Sequence, residues 1–450
     1  MARKQIGDIA AARLASDELR DNFADIAPPL DRQGALLAAQ RCYYCYDAPC
    51  IQACPTGIDI PGFIKAISTD NLKGAATTIL DANIMGGTCA RVCPTEVLCE
   101  GVCVRCDDDH KPVEIGALQR YATDWVYRDD ARLFERAAPT GKRIAVVGAG
   151  PAGLACAHAL ARLGHEVTVY EAQAKAGGLN EYGIAAYKVP DFPQREVEWL
   201  LSIGGITVQP NHALGRDIAL GPLRRRYDAV FLGVGLAGVN ALGLEGENFP
   251  GVRNAVEFIA ELRQARDKAA LAVGRRVVVI GGGNTAVDAA VQSRRLGAET
   301  VSLVYRRGPG SMSATHHEQE FAKSNGVHVI HWAQPRRLLA VSGVLSAIEF
   351  EHTAAGADGK AQGTGESFTL DADQVLKAIG QVLVPGALDG SGEVLALRRG
   401  RIAVDEHFAT SLPGVWAGGD CVGTKLDLTV QAVEDGKRAA AAIHRALAQR

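Results

Sequence analysis

"GKRIAVVGAGPAGLACAHALARLGHEVTVYEA", residues 141–172, decides the fold. A run of aliphatics ends at Gly148-x-Gly150-x-x-Gly153, a helical stretch closes at Leu163-Gly164, and a second apolar run finishes at Glu171. The order is strand, tight turn, helix, strand, acid. The three glycines serve different ends, namely the turn itself, backbone access for a pyrophosphate at the positive helix end, and close helix-to-strand packing. An acid about twenty residues on is placed to accept from an adenosine ribose. The stretch predicts a dinucleotide site on Gly148, Gly150, Gly153 and Glu171.

The unit recurs as "GRRVVVIGGGNTAVDAAVQSRRLGAETVSLVYRR", residues 274–307, with Gly281-x-Gly283-x-x-Ala286 after its strand. Where the first copy carries an acid, this one carries Tyr305-Arg306-Arg307. Arginine there favours a 2′-phosphate and hence NADP(H), yet the pair can equally stack on adenine or face solvent; residue chemistry leaves both open. "YDAVFLGVG" (227–235) and "ADQVLKAIG" (372–380) bracket this copy and end in glycine, so they read as crossings between one nucleotide-binding domain and another inserted in it. Farther on, "LPGVWAGGDCVGTKLDLTVQAVEDGKRAA" (412–440) reads as a strand ending at Gly418-Gly419-Asp420, then a helix from near Thr429. These supply a second half for the first nucleotide site.

The 450 residues are 47 % hydrophobic and 22 % charged, enough for two or three soluble domains. A net charge of -3 gives no hint of nucleic acid or an acidic membrane as partner. The opening "MARKQIGDIAAARLASDELR" has scattered charges and resembles an amphipathic helix more than a signal peptide, so a cytoplasmic location is expected. Glycine and proline interrupt the longest apolar runs, which argues against a membrane span.

Of 11 cysteines, nine lie between Cys42 and Cys106, leaving Cys156 and Cys421. They fall into Cys42-x2-Cys45-x4-Cys50-x3-Cys54-Pro55 and Cys89-x3-Cys93-Pro94-x4-Cys99-x3-Cys103-x2-Cys106. Structural zinc sites favour two separated pairs, whereas this many thiolates with Cys-Pro ends suits iron-sulfur clusters. By the pattern of two-cluster ferredoxins, Cys42, Cys45 and Cys50 share one 4Fe-4S cluster and Cys54 serves a second. Two clusters take eight ligands, and spacing alone does not assign the nine cysteines.

On these motifs, together with "GTCARVCPTEVLCEGVCVR" and "VEIGALQRYATDW", the chain resembles the flavoprotein electron-entry unit shared by the glutamate synthase small subunit and dihydropyrimidine dehydrogenase. It looks closest to the dihydropyrimidine dehydrogenase branch, in its separate bacterial subunit. The resemblance covers nearly the whole chain. It implies an α/β fold: an N-terminal helical domain with two 4Fe-4S clusters, then two Rossmann-like domains, the second inserted in the first. The boundaries expected are 1–138 for the iron-sulfur domain, which ends at a linker "RAAPTGKR", 141–236 with 381–450 for the FAD domain, and 237–380 for the NAD(P) domain. The segment "EHTAAGADGKAQGTGESFTLDADQ" reads as a hairpin on the inserted domain.

The resemblance also implies ligands: Cys42, Cys45, Cys50 and Cys103 for one cluster, and Cys54, Cys93, Cys99 and the amide of Gln119 for the other. Cys89 and Cys106 are then small bystanders. FAD is expected on Gly148, Gly150, Gly153 and Glu171, with Gly178, Leu179, Lys188, Asp420, Thr429, Gln431 and Val433 completing its site; the family more often has arginine where Lys188 stands. The nicotinamide nucleotide is expected on Gly281, Gly283, Asn284, Thr285, Arg306 and Arg307. The bacterial branch is NAD-dependent, and an arginine of the NADPH-using relatives falls on Ser313, so the resemblance points to NAD(H) over NADP(H). His316 and His317 read as surface helix residues.

The expected function is electron input: hydride from NAD(P)H passes to FAD, which sends single electrons through the clusters to an FMN-containing partner subunit, in a hetero-oligomer such as a heterotetramer. That partner reduces uracil or thymine. No nucleophile or acid/base pair is needed, and no catalytic residue is nominated. The alternatives are an NADPH-dependent glutamate synthase small subunit or a homologue with another acceptor, a thioredoxin-reductase-like disulfide reductase, and a zinc or cluster scaffold without activity. The disulfide reductase requires a CxxC beside the flavin, and none occurs after residue 140.

Overall fold

The computed structural model describes residues 8–356, 359–384, 394–423 and 426–449. They form two compact units: Met1–Ile26 with Tyr182–Pro190 and Val239–Gln381, and Ala27–Glu181 with Asp191–Gly238 and Val382–Arg450. The amphipathic helix expected at the N-terminus is shorter than its pattern. Helix α1 spans Ser16–Asn22, while Ala10 exchanges backbone hydrogen bonds of 3.1 and 3.0 Å with Val273. That pairing satisfies the preceding residues as extended chain, and residues 1–7 lie outside the described part.

The larger unit opens with α2 (Arg32–Gln40), α3 (Pro49–Ala53), α4 (Ile60–Ser68), α5 (Leu72–Ala82), α6 (Gly86–Val92), α7 (Arg105–Asp109) and α8 (Ile115–Asp129). Asp31, Asp59 and Asn71 each accept the backbone N–H three residues on, which starts α2, α4 and α5 where polar side chains can cap them. Ile60, Phe63, Ile64 and Ile67 of α4 recur at helical spacing and pack with Ile79 and Leu80 of α5 and Leu118, Ala122 and Val126 of α8. Each such large side chain contributes roughly 1.5–3 kcal/mol by leaving water.

The first fingerprint follows as β1 (Arg143–Val147), α9 (Pro151–Arg162) and β2 (Glu166–Tyr170), then α10 (Leu179–Tyr182), α11 (Pro193–Leu201), β3 (Ile206–Gln209), α12 (Leu220–Arg226) and β4 (Ala229–Leu232). At Gly153 a Cβ would sit 1.9 Å from the carbonyl oxygen of Gly148, so only glycine lets α9 lie this close to the turn. The "RAAPTGKR" stretch is not a loose tether. Arg136 bonds the carbonyls of Ala161 and His165, and the amide of Ala137 donates to Arg162, laying the segment along the end of α9.

The chain leaves this unit within β5 (Gly238–Val239). The smaller unit holds β6 (Val252–Asn254), α13 (Ala255–Gln264), β7 (Arg276–Ile280), α14 (Asn284–Arg295), β8 (Thr300–Tyr305), α15 (His316–Ser324), β9 (His328–His331), β10 (Ala333–Val341), β11 (Val344–Ala355), β12 (Ala361–Asp371) and β13 (Gln374–Lys377). Return is through β14 (Gln381–Val382), followed by β15 (Leu397–Arg398), β16 (Arg401–Ile402), β17 (Val415–Ala417) and α16 (Thr429–Ala448).

Each unit carries one parallel five-stranded sheet, in the orders β17-β4-β1-β2-β3 and β6-β13-β7-β8-β9. Their central strands are near-continuous aliphatics, as burial on two faces demands. The hairpin expected after Glu351 is β11 with β12, paired antiparallel from Ala347↔Asp371 to Ala355↔Ala361 beside β10; residues 357 and 358 lie outside the described part.

The helical part and the first nucleotide fold belong to the same compact unit. Arg162 of α9 pairs with Asp81 at 2.8 Å, and Lys437 of α16 donates to the carbonyl of Ala82 at 2.9 Å. Buried Glu196 of α11 accepts from the amides of Gly87 and Thr88 and from the Tyr127 hydroxyl at 2.9–3.0 Å, as well as from the Thr88 hydroxyl. Nothing in the residue pattern around Glu196 signals that role.

Candidate flavin, nicotinamide and cluster sites

All 11 cysteines are free thiols. Cys42, Cys45 and Cys50 line one pocket with Cys103, which comes from the second cysteine group, walled by Ile60, Ile64, Val113 and Ile115. Burial pushes the Cys42 thiol up and the Cys50 thiol up to about 11. Protonated thiols must lose protons to bind iron, so loading the pocket releases them. Cys54, Cys89, Cys93 and Cys99 form a second neighbourhood. The Cys93 thiol is held well above its usual range, first by a hydrogen bond with Cys89, then by burial and by the proximity of Cys99 and Cys54.

Among the described residues no three His, Cys, Asp or Glu side chains gather as ligands of a single metal ion. A tetrahedral zinc with bonds of about 2.3 Å draws its sulfurs far closer together than a four-iron cube does. Four cysteines lining one pocket match the ligand set of a 4Fe-4S cluster.

Gln119, on α8, is buried, and its Nε2 donates to the carbonyl of Gly86 at 2.7 Å. A carbonyl can only accept, so this contact fixes the amide orientation and leaves Oε1 as the atom turned elsewhere. Nearby, Asn83 is fully buried; its Oδ1 accepts from the amide of Met85 at 3.1 Å, and its Nδ2 has no partner within the chain. Thr56 lies 3.3 Å from Cys54 Sγ through its hydroxyl. Asn83 Nδ2, an orphaned buried donor three residues before the glycine whose carbonyl holds Gln119, is a group left to meet an acceptor outside the chain. Neither Asn83 nor Thr56 stands out in the sequence, because neither residue type marks a ligand.

The first nucleotide cradle lies at the carboxyl ends of β1, β4 and β17. Gly178 has φ +54°, and a Cβ there would meet Gly150 Cα at 2.7 Å, so two bare backbones face each other with room above Gly150. Glu171 is buried and accepts from the amides of Ala149 and Gln173 at 2.7 and 2.8 Å. From its place just after β2 it therefore braces the glycine turn. Asp420 follows the β17 turn, and its carboxyl is pushed up to about 6 by burial and by Asp427. Thr429 is the first residue of α16; Gln431 donates to Asp435, which also accepts from the amide of Gly419, and Val433 is buried. Leu179 is 41 % exposed. An open cradle with an acid and a helix N-terminus fits a dinucleotide.

In the smaller unit, Gly281 and Gly283 end at α14, whose first residues are Asn284 and Thr285. Asn284 Oδ1 is buried without a partner in the chain, an acceptor left for a ligand hydroxyl or amide. Arg306 is exposed at the end of β8, whereas Arg307 donates to the Tyr305 hydroxyl at 3.0 Å and lies over that ring. Ser313 is 3.4 Å from the Gly282 carbonyl, and His316 and His317 are exposed on α15. Lys188 is clasped by Asp288 at 2.8 Å and Glu318 at 2.6 Å, both in the smaller unit, and is 12 % exposed. Neither carboxylate is marked in the sequence, since the pairing joins residues 100 or more positions apart.

Residues 19–131 match the family described as dihydropyrimidine dehydrogenase domain II, 4Fe-4S cluster, and residues 142–436 match pyridine nucleotide-disulphide oxidoreductase. The chain is 36 % identical to the NAD-dependent dihydropyrimidine dehydrogenase subunit PreT of Salmonella typhimurium, across 95 % of this chain and 96 % of that one. It is 35 % identical to the NADP(+)-dependent formate dehydrogenase subunit beta of Moorella thermoacetica, across 89 % of this chain and 60 % of that one. Among solved structures, FprA of Mycobacterium tuberculosis in complex with NADPH superposes with a TM-score of 0.57 at 21 % identity, covering 68 % of this chain and 85 % of FprA. Thioredoxin reductase of Lactococcus lactis gives 0.55 at 20 %, covering 69 % and 100 %. These two likenesses speak to the fold. No helix among the described residues is long and apolar enough to cross a membrane.

Proposed function

Because the chain belongs to the pyridine nucleotide-disulphide oxidoreductases that carry a 4Fe-4S domain, the family that includes the PreT subunits of dihydropyrimidine dehydrogenase, we propose that it is the electron-input subunit of such an enzyme. It takes hydride from NADH onto FAD, and bound 4Fe-4S clusters carry the electrons singly to an FMN-containing partner that reduces uracil or thymine. The observation that carries the reading is the four-cysteine pocket within the same compact unit as the first glycine cradle.

The chain's own residues bind and orient. Gly148, Gly150, Gly153, Gly178, Leu179, Asp420, Thr429, Gln431 and Val433 hold the flavin, and Glu171 keeps the turn in shape. Lys188 belongs to this set by resemblance, although its carboxylate partners favour a role in fixing α14 and α15. Cys42, Cys45, Cys50 and Cys103 hold one cluster; Cys54, Cys93, Cys99 and Gln119 hold the other. Gly281, Gly283, Asn284, Thr285, Arg306 and Arg307 take the nicotinamide nucleotide. NADH is preferred over NADPH on the name of the PreT relatives, which match over more of the chain than the NADP(+)-dependent formate dehydrogenase subunit, and on Arg307 being engaged by Tyr305.

The formate dehydrogenase relative favours a second reading, the same relay serving a different oxidoreductase partner. A thiol-disulfide role is disfavoured by burial of Cys156 and Cys421, the latter pushed up to about 12. Purified alone, the chain should oxidise NADH with an artificial dye and leave uracil unchanged, and uracil turnover should appear on adding the FMN subunit. Uracil reduction by the isolated chain refutes the division of labour; retention by a formate-oxidising subunit instead selects the second reading.

A further inference from the structure

Five residues of the larger unit form one bonded line from the flavin cradle to the second cluster's glutamine. Thr429, at the start of α16, donates its hydroxyl to Asn180 Oδ1 at 2.8 Å. Asn180 lies two residues after Gly178 and is 1 % exposed, and its Nδ2 donates to Met85 Sδ at 3.6 Å. Met85 is fully buried and is followed by Gly86, whose carbonyl accepts from Gln119 Nε2 at 2.7 Å. The carbonyl of Met85 itself accepts from the amide of Cys89, at the start of the turn that leads to Cys93. A primary amide buried against a thioether is an odd choice, because sulfur is a weak acceptor. Its value lies in polarisability and in linking two elements that nothing else in the line joins.

We propose that Asn180 and Met85 are positioning residues that couple the flavin site to the cluster held by Gln119. Resting on the relay reading above, the coupling has two parts. The line fixes Gln119 Oε1 through Gly86, and so sets the geometry of the cluster's oxygen ligand. It would also put bonds and short contacts, in place of empty space, between the cradle and Gln119, across which a bound reduced flavin would pass one electron to an oxidised cluster with its proton released to solvent. Hydride from NADH supplies the electron pair, so a second transfer follows the first.

The test uses the anaerobic holoprotein with flavin and iron content measured first. Met85→Leu keeps volume and removes the sulfur; Asn180→Ala removes the whole bridge. Stopped-flow mixing with NADH should show flavin bleaching in Met85→Leu at the wild-type rate while cluster reduction slows, on the order of threefold to tenfold. The electron paramagnetic resonance signal of the reduced cluster should change shape in both variants. Equal cluster-reduction rates and an unchanged signal overturn the proposal, as does a parallel fall of both steps in Met85→Leu. If wild-type protein holds flavin and clusters that NADH cannot reduce, the relay reading itself fails, a result separate from either outcome in the variants. Should Asn180→Ala lose flavin, Met85→Leu alone decides.

Discussion

Asp420 shows how one burial sets a pH dependence. Its carboxyl is raised to about 6 from a usual 3.8, so in the flavin-free chain it contributes stability below about pH 4 that is lost as pH rises through 6. If Asp420 holds FAD as proposed, flavin hydroxyls would donate to its ionised form and lower that value. Binding therefore releases a proton, and FAD affinity should fall about tenfold per pH unit below pH 6. Fluorescence titration of apoprotein at several pH values checks this, and Asp420→Asn should flatten the slope. Gln119→Leu, which keeps bulk and removes the oxygen, should retain the Cys42 cluster and alter or lose the other, read by iron content and by paramagnetic resonance. Glycines and cysteines were legible in the sequence because few other residues do their work at such spacing. Asn180 and Met85 were not, since their contact joins residues 95 positions apart that meet only after folding.

At the scale of elements, β1, α9, β2 and their counterparts β7, α14 and β8 lie where the two fingerprints place them. Local rules suffice there: aliphatic strand, glycine turn, helix. Helix α1 is shorter than expected because Val273 claims the backbone hydrogen bonds of Ala10, and the "RAAPTGKR" linker is held by hydrogen bonds to the end of α9 that its sequence does not signal. Helix α16 begins at the expected residue, yet its tight seat was invisible. At Gly436 a Cβ would lie 2.1 Å from the carbonyl oxygen of Ala152, on α9. Gly436→Ala should therefore force the helices apart, cost about 1–3 kcal/mol and loosen FAD, measured by thermal unfolding and flavin retention. Glu196→Leu should cost at least as much, because it leaves the amides of Gly87 and Thr88 and the Tyr127 hydroxyl without their buried acceptor.

For the whole molecule, grouping matters more than the parts. The cysteine-bearing helices share a compact unit with the first glycine cradle, while the second fingerprint lies in the other unit. Sequence could order the domains along the chain but could not say that Lys437, Arg162 and Glu196 weld the helical part to the first nucleotide fold, because each meets partners far from it in the chain. Electron carriers separated by long insulating gaps exchange slowly, so one compact body around flavin and clusters is what a relay requires. The most direct check is to purify the chain without air, assay iron, sulfide and flavin, and add NADH. The account predicts about eight iron and eight sulfide per FAD, with bleaching of the flavin followed by a reduced 4Fe-4S resonance signal. Zinc in place of iron and sulfide, or a flavin that NADH leaves oxidised, would contradict it.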